Sequence, residues 1–317
     1  MRVLLMYSTH APSDAHLARL ADLGADVTVV DSEAAAIAAI PEAHVVIGHR
    51  YLRQVLPFAT DLRWVQSTAG GVDRLPLNAL RERGITLTRF SRAAPTIARH
   101  AVTLAWSVTR RIPEAVRNQA AARWEPSLDW LPLPRRALVL GAGAIGQAIG
   151  MLLQHDGIET SGVRRTPATA LPGFDNVLGE DAWRDVLPHT DWLFLALPST
   201  PDTFHLVGEE ELQQLPSHAL VVNVGRGETL DTQALCRTLG SGLLGGAALD
   251  VVEPEFKQAD SVLWRTPRLL ITPHVAAHSA ERTASIEQFV EDQYRRFVSG
   301  EALHDRVTPA SGVSQPR

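Results

Sequence analysis

Residues 138–166 read LVLGAGAIGQAIGMLLQHDGIETSGVRRT. The stretch opens on the apolar run Ala137-Leu138-Val139-Leu140, the composition of a strand buried on both faces. Gly141, Gly143 and Gly146 follow in the G-x-G-x-x-G spacing, and Ile145, Ala148, Ile149, Leu152 and Leu153 then recur at helical spacing. A strand, a glycine turn and an amphipathic helix in that order predict a dinucleotide-binding unit. The first glycine permits the tight turn, the second lets a pyrophosphate approach the backbone, and the third lets helix and strand pack closely. Unpaired N–H groups where the helix opens, at Gly143, Ala144, Ile145 and Gly146, and the positive end of its dipole then face the phosphates.

In this motif an acidic residue about twenty positions past the first glycine holds the ribose hydroxyls of NAD. Here the second strand ends Ser161-Gly162-Val163-Arg164-Arg165-Thr166, with no carboxylate. Two guanidiniums and a hydroxyl suit a 2′-phosphate, which arginine binds through paired, charge-assisted hydrogen bonds. NADP is therefore expected, with NAD possible. The plainer alternative is a solvated basic turn.

The rest of the chain agrees with an α/β enzyme of two domains. Its 317 residues, 45% hydrophobic and 21% charged, suffice for a substantial core. A net charge of −5 and a pI near 6.2 give no reason to expect nucleic acid or an anionic membrane as partner. The single cysteine, Cys236, excludes an intrachain disulfide framework and suits a reducing cytoplasm. No run approaches a membrane span, and the start Met1-Arg2-Val3-Leu4-Leu5-Met6 reads as a first strand rather than a leader.

Apolar runs at Val3–Met6, Val27–Val30, Val45–Ile47, Trp64–Val65 and Ile85–Leu87 alternate with helical segments at Ala15–Leu23 and Glu33–Ile40, which predicts a parallel sheet. The loop Gln66–Asp73 follows one of these strands, and its successive N–H groups form either an anion nest or an ordinary tight turn. Ser91–Pro95 reads as a hinge and Thr96 as the cap of a long helix through Ile97, Ala101, Leu104, Ala105, Val108 and Ile112, ended or kinked by Pro113. Trp124–Pro134 reads as an arm whose exposed aromatics favour a subunit contact. The tail Thr308–Arg317 is polar and expected to be loosely ordered.

Further strands run out at Asn223-Val224-Gly225-Arg226-Gly227, at Leu249-Asp250 and at Thr272-Pro273-His274, and another at Leu197-Pro198. In an open α/β sheet ligands collect beyond the carboxyl ends of the strands. Arg226, Asp250 and His274 are therefore the polar groups expected at the chemistry, with Glu255 just after Asp250. Arginine can polarise a carbonyl and hold a carboxylate, histidine can supply a proton, and a carboxylate keeps that histidine protonated. Asp250 has a second reading, as the cap of a following turn. His274 and His278 stand at the four-residue spacing of a metal pair, but with no neighbouring acid or cysteine no metal site is expected. His100 reads as a packed or hydrogen-bonded residue, and Cys236, in the helix Thr232–Leu239, as packing.

Four blocks in order carry a resemblance: Thr68-Ala69-Gly70-Gly71-Val72-Asp73, the glycine loop with its helix, Val222–Gly227, and Thr272-Pro273-His274-Val275-Ala276-Ala277, with Ala248–Glu255 between the last two. Over nearly its whole length the chain resembles the D-isomer-specific 2-hydroxyacid dehydrogenases, and it looks most like their NADPH-linked glyoxylate/hydroxypyruvate reductase branch. The resemblance implies two Rossmann-like domains, each a parallel sheet flanked by helices, with the active site in the cleft between them. Residues 1–96 plus 281–317 would form the flavodoxin-like substrate domain, and 97–280 the nucleotide-binding domain. His274 would be the acid/base, Glu255 (not Glu253) its partner, and Arg226 the substrate arginine. Backbone amides of Ala69, Gly70 and Gly71 would hold the substrate carboxylate. The cofactor would meet Leu197, Pro198, Thr203, Val224, Gly225, Asp250, His274 and Ala276 besides the glycine loop and Arg164, Arg165 and Thr166. The resemblance also implies reduction of a small 2-keto acid; Tyr51, Leu52, Trp130 and His278 are the candidates for contact with its side chain, and a two-fold homodimer is the default for this architecture. The chain departs from the family pattern at Arg99, where glutamate is common, at Phe256, where proline is usual, and at His278. Other activities open to the same fold are a non-catalytic dinucleotide sensor and a dehydrogenase of formate or phosphite.

Overall fold

A computed structural model describes residues 1–7, 10–165 and 170–307. The chain divides into two units, Met1–Ala93 with Ser279–Arg317, and Ala94–His278. The tail from Thr308 lies outside the described residues, as does Thr166.

The first unit holds strands β1 (Arg2–Met6), β2 (Asp26–Val29), β3 (Val45–Gly48), β4 (Trp64–Gln66) and β5 (Thr86–Thr88). They pair in parallel in the order β2-β1-β3-β4-β5, the flavodoxin-like order. Alternate residues of β1 point to opposite faces. Leu4 and Met6 pack with Ala36, Ile40, Leu52 and Leu80, and Val3 and Leu5 with Leu20, Trp64, Phe289, Val290 and Tyr294. The last three come from the helix Arg282–Val298, so the C-terminal helix completes one face of a sheet built near the N-terminus. Polar groups fasten it there. Ser13 caps the helix Asp14–Asp22 and donates from its N–H and hydroxyl to Glu287, at 2.8 and 2.7 Å. Burial opposes charge on Glu287, but these bonds hold its carboxyl below the usual range. His16, with no exposed surface, lies 2.9 Å from the Tyr7 hydroxyl and 2.6 Å from Glu291.

The second unit holds β6 (Arg136–Leu140), β7 (Glu159–Val163), β8 (Asn176–Leu178), β9 (Trp192–Leu195), β10 (Leu220–Asn223), β11 (Gly246–Leu249) and β12 (Leu269–Ile271), all parallel in the order β12-β11-β10-β9-β6-β7-β8. The order reverses between β6 and β9, which makes the ends of those two strands the switch point where a doubly wound sheet takes its ligand. Val139, Phe194, Val222 and Ala248 form one core with the helices Ala94–Thr109 and Ala144–His155. Leu138, Leu193, Val221 and Leu249 form the other, which also takes in Cys236.

Two local expectations are corrected. Thr96 is not a cap, because the helix already starts at Ala94. Pro113 opens a helix rather than ending one. The first helix stops at Thr109, Arg111 takes left-handed backbone (φ 51°), and Pro113 sits in the first turn of a new helix, Ile112–Ala120, where its missing N–H costs nothing. The Arg111 side chain is buried and donates to the carbonyls of Asp129 and Gly245, which repays the strained backbone. None of the described helices is long and apolar enough to cross a membrane.

Candidate active site

The glycine loop joins β6 to the helix Ala144–His155. Gly141 has φ 101°, and a Cβ there would meet the Ala196 carbonyl oxygen at 2.7 Å. Gly146 admits no side chain either, since its Cβ would stand 2.1 Å from the Gly141 carbonyl oxygen. Gly143 is different. It caps the helix in extended conformation, and nothing lies within 4 Å of the position a Cβ would take. A turn with that open space beside the first unpaired N–H groups of a helix fits a pyrophosphate. Arg164 follows β7, half-buried, and Arg165 is exposed.

Beyond β9, Leu197 packs against two glycines. Its Cδ2 lies 3.2 Å from a Gly141 Cβ position, and its backbone N and O lie 2.7 and 2.6 Å from that of Gly225. Pro198 accepts a hydrogen bond from the Thr203 hydroxyl at 2.7 Å, and that same hydroxyl accepts from the Thr200 N–H. Thr203 therefore ties its own loop.

Arg226 follows β10, between Gly225 and Gly227. Both glycines make room for the protein's own backbone. A Cβ on Gly227 would come within 2.2 Å of the Val252 carbonyl carbon. The segment is held by Asn223, whose buried amide donates to the Arg226 carbonyl at 2.9 Å and accepts from the Gly225 N–H at 3.0 Å. The Arg226 guanidinium also donates to the Gly225 carbonyl. Asn223 gave a signal in the sequence, because a polar residue inside Val-Val-Asn-Val must find partners when buried.

Asp250, at the end of β11, caps the loop that carries His274. Its Oδ1 accepts from the Thr272 hydroxyl at 2.6 Å and the Val275 N–H at 2.9 Å, and its Oδ2 accepts from the Ala276 N–H at 3.0 Å. The His274 N–H donates to the Asp250 carbonyl at 2.9 Å. His274 itself has left-handed backbone (φ 57°), a conformation that costs a non-glycine residue about 1–2 kcal/mol and tends to mark functional sites. Burial opposes charge on Asp250, but hydrogen bonds from His100, Thr272, Val275 and Ala276 bring its pKa down to about 2.

This depression stabilises the fold by about 2 kcal/mol at neutral pH. The contribution is complete above the ordinary aspartate value of 3.8 and is lost as pH falls through about 2. We expect the urea midpoint of the wild type to drop across that window. It should drop less in Asp250→Asn, and parallel acid profiles would refute this role for Asp250.

Glu253 and Glu255 part company. Glu253 is buried, accepting from the Thr232 N–H at 3.3 Å and lying 2.7 Å from His205 Nε2. Glu255 is exposed on the turn Pro254–Lys257 and makes no hydrogen bond or ion pair among the described residues. Thus His274 and Asp250 are brought together directly, Arg226 stands on the neighbouring strand end, and Glu255 is left exposed.

In the first unit, Gly70 and Gly71 are exposed. Ala69 donates to Ser67 Oγ at 3.2 Å and accepts from the Phe90 N–H. Gly70 does not take the left-handed backbone that an alternating N–H nest requires. Ser67 Oγ also lies 3.2 Å from Nδ1 of His49, at the end of β3, and burial pushes the pKa of that imidazole down. His49 was not singled out by the sequence. Leu52, expected near the substrate, is instead core, at 1% exposure.

These features define a class first: a doubly wound dinucleotide-binding unit with an arginine, a carboxylate and a histidine on successive strand ends. Comparison with known proteins is narrower. Residues 102–276 match the family model for the D-isomer specific 2-hydroxyacid dehydrogenase NAD binding domain. The glyoxylate/hydroxypyruvate reductase B of Yersinia pestis (strain Pestoides F) is 28% identical over 290 residues, covering 88% of each chain. Among solved structures, a D-isomer specific 2-hydroxyacid dehydrogenase family protein from Aeromonas salmonicida is 31% identical with TM-score 0.82, covering 97% of this chain and 98% of that one. An NADPH-dependent glyoxylate/hydroxypyruvate reductase from Sinorhizobium meliloti, solved with NADP and malonate, is 26% identical with TM-score 0.80 over 96% of each chain. The chain belongs to the D-isomer specific 2-hydroxyacid dehydrogenase family.

Proposed function

We propose that the protein reduces small 2-keto acids, such as glyoxylate and hydroxypyruvate, to D-2-hydroxy acids with NADPH. The observation that carries this reading is the succession of Arg226, Asp250 and His274 at the ends of β10, β11 and β12. When bound, the reduced nicotinamide supplies a hydride to C2. His274, as imidazolium, gives its proton to the carbonyl oxygen, so the carbonyl becomes a hydroxyl. Arg226 pairs with the substrate carboxylate and stabilises the charge developing on oxygen. Arg164 and Arg165, with no acidic residue beside them, support NADP as the cofactor, as does the similarity to a Sinorhizobium reductase that was solved with NADP.

Following NADPH absorbance with a panel of 2-keto acids tests this directly. Glyoxylate and hydroxypyruvate should be consumed, and consumption of none would overturn the reading.

The second unit would also carry the homodimer contact. The helix Ile112–Ala120 buries none of its residues, and Ile112, Val116, Trp124, Trp130 and Leu133 are all exposed. That much apolar surface on one segment fits a second copy of the chain. Light scattering should give twice 34.5 kDa, and Val116→Ser with Trp124→Ser should give the monomer. A wild-type monomer would dismiss the contact.

A further inference from the structure

His100, on the helix Ala94–Thr109, takes no part in the reaction above. It is half-buried and turns its Nε2 toward the loop after β12, 3.0 Å from Thr272 Oγ1 and 3.5 Å from Asp250 Oδ1. The direction of the protons follows from the chemistry. Thr272 has one hydroxyl hydrogen, and it goes to the charged acceptor, Asp250 Oδ1, at 2.6 Å. Thr272 Oγ1 can then only accept from His100, so Nε2 carries a hydrogen whether the ring is neutral or charged. The result is a one-way chain, His100 to Thr272 to Asp250, in which each donor strengthens the next.

The far side of Asp250 carries the loop. Its carboxylate takes the N–H groups of Val275 and Ala276, and the His274 N–H donates to the carbonyls of Asp250 and Thr272, at 2.9 and 3.0 Å. Residues 272–276 are thus wrapped around one carboxylate, with His274 held in a backbone conformation it would not keep unaided. His100 braces that carboxylate from outside the loop. We propose that His100 is a positioning residue: by donating from Nε2 it fixes Thr272 and Asp250, and through them the orientation of His274.

The proposal rests on the reductase reading for its kinetic readout, so the test includes one readout that needs no substrate. His100→Leu removes the donor and should lower kcat by about 10- to 100-fold, the range expected when a reacting group is displaced by about an ångström. The affinity for NADPH, read by fluorescence, should stay nearly unchanged. His100→Gln keeps an N–H donor at similar reach and should restore turnover. Thr272→Val breaks the same chain one link on, so the double variant with His100→Leu should be no slower than either single variant. In protein labelled with 15N-histidine, the imidazole resonances of His274 should move in His100→Leu and return in His100→Gln.

Full turnover in His100→Leu, an equally slow His100→Gln, or His274 resonances unmoved by His100→Leu would each overturn the proposal. If the wild type reduced none of the 2-keto acids, the reductase reading would fail on that result alone, and the resonances would still decide the role of His100.

Discussion

His274→Asn should lower kcat for glyoxylate by about 10²- to 10⁴-fold, the range over which a positioned general acid accelerates proton transfer. Asparagine is chosen because it tolerates left-handed backbone better than alanine does, and residue 274 has φ 57°. Alanine would remove the proton donor and strain the loop together. With asparagine the N–H bonds to Asp250 and Thr272 can persist, so the loss reports the imidazole. NADPH binding should be nearly intact, because the pyrophosphate site at Gly141–Gly146 is on a different strand end. Wild-type turnover in His274→Asn would remove His274 from the mechanism.

Arg164→Glu with Arg165→Glu should raise KM for NADPH by at least about tenfold for each charge-assisted hydrogen bond lost to the 2′-phosphate. KM for NADH, which lacks that phosphate, should change little. The substitution also supplies the carboxylate that NAD-binding members of this fold use on the ribose, so the preference between the cofactors should invert. Equal losses with both cofactors would mean that the two arginines are only a solvated turn. Steady-state kinetics with each cofactor at saturating keto acid separates these outcomes.

The parts of the molecule legible in the sequence are those whose signal is local. Strand β6, its glycines and the helix after them occupy fixed offsets, and Gly141, Gly143 and Gly146 differ in the structure in just the space a side chain would find. Strand β8 is not legible in the sequence, because one exposed and two half-buried residues at a sheet edge carry no periodicity. Pro113 is ambiguous in the sequence, because proline both ends and begins helices. What decides is Arg111, whose guanidinium bonds a carbonyl 134 residues away. Asp250 admits two readings in the sequence for the same reason, since the groups that bond its carboxylate come from 272–276 and from His100. His100 and His49 sit in segments whose pattern reports only helix or strand, and their hydrogen bonds are made by the fold.

The first unit takes its sheet from one end of the chain and one covering helix from the other, whereas the second is drawn from a single unbroken run. During synthesis, residues 94–278 leave the ribosome before Phe289 and Tyr294 do. Domains usually complete themselves in the order they are made, but here that order is inverted. Val3, Leu5 and Trp64 lack their partners in the last helix until it is translated, so that sheet face is completed only after the whole nucleotide-binding run has been made.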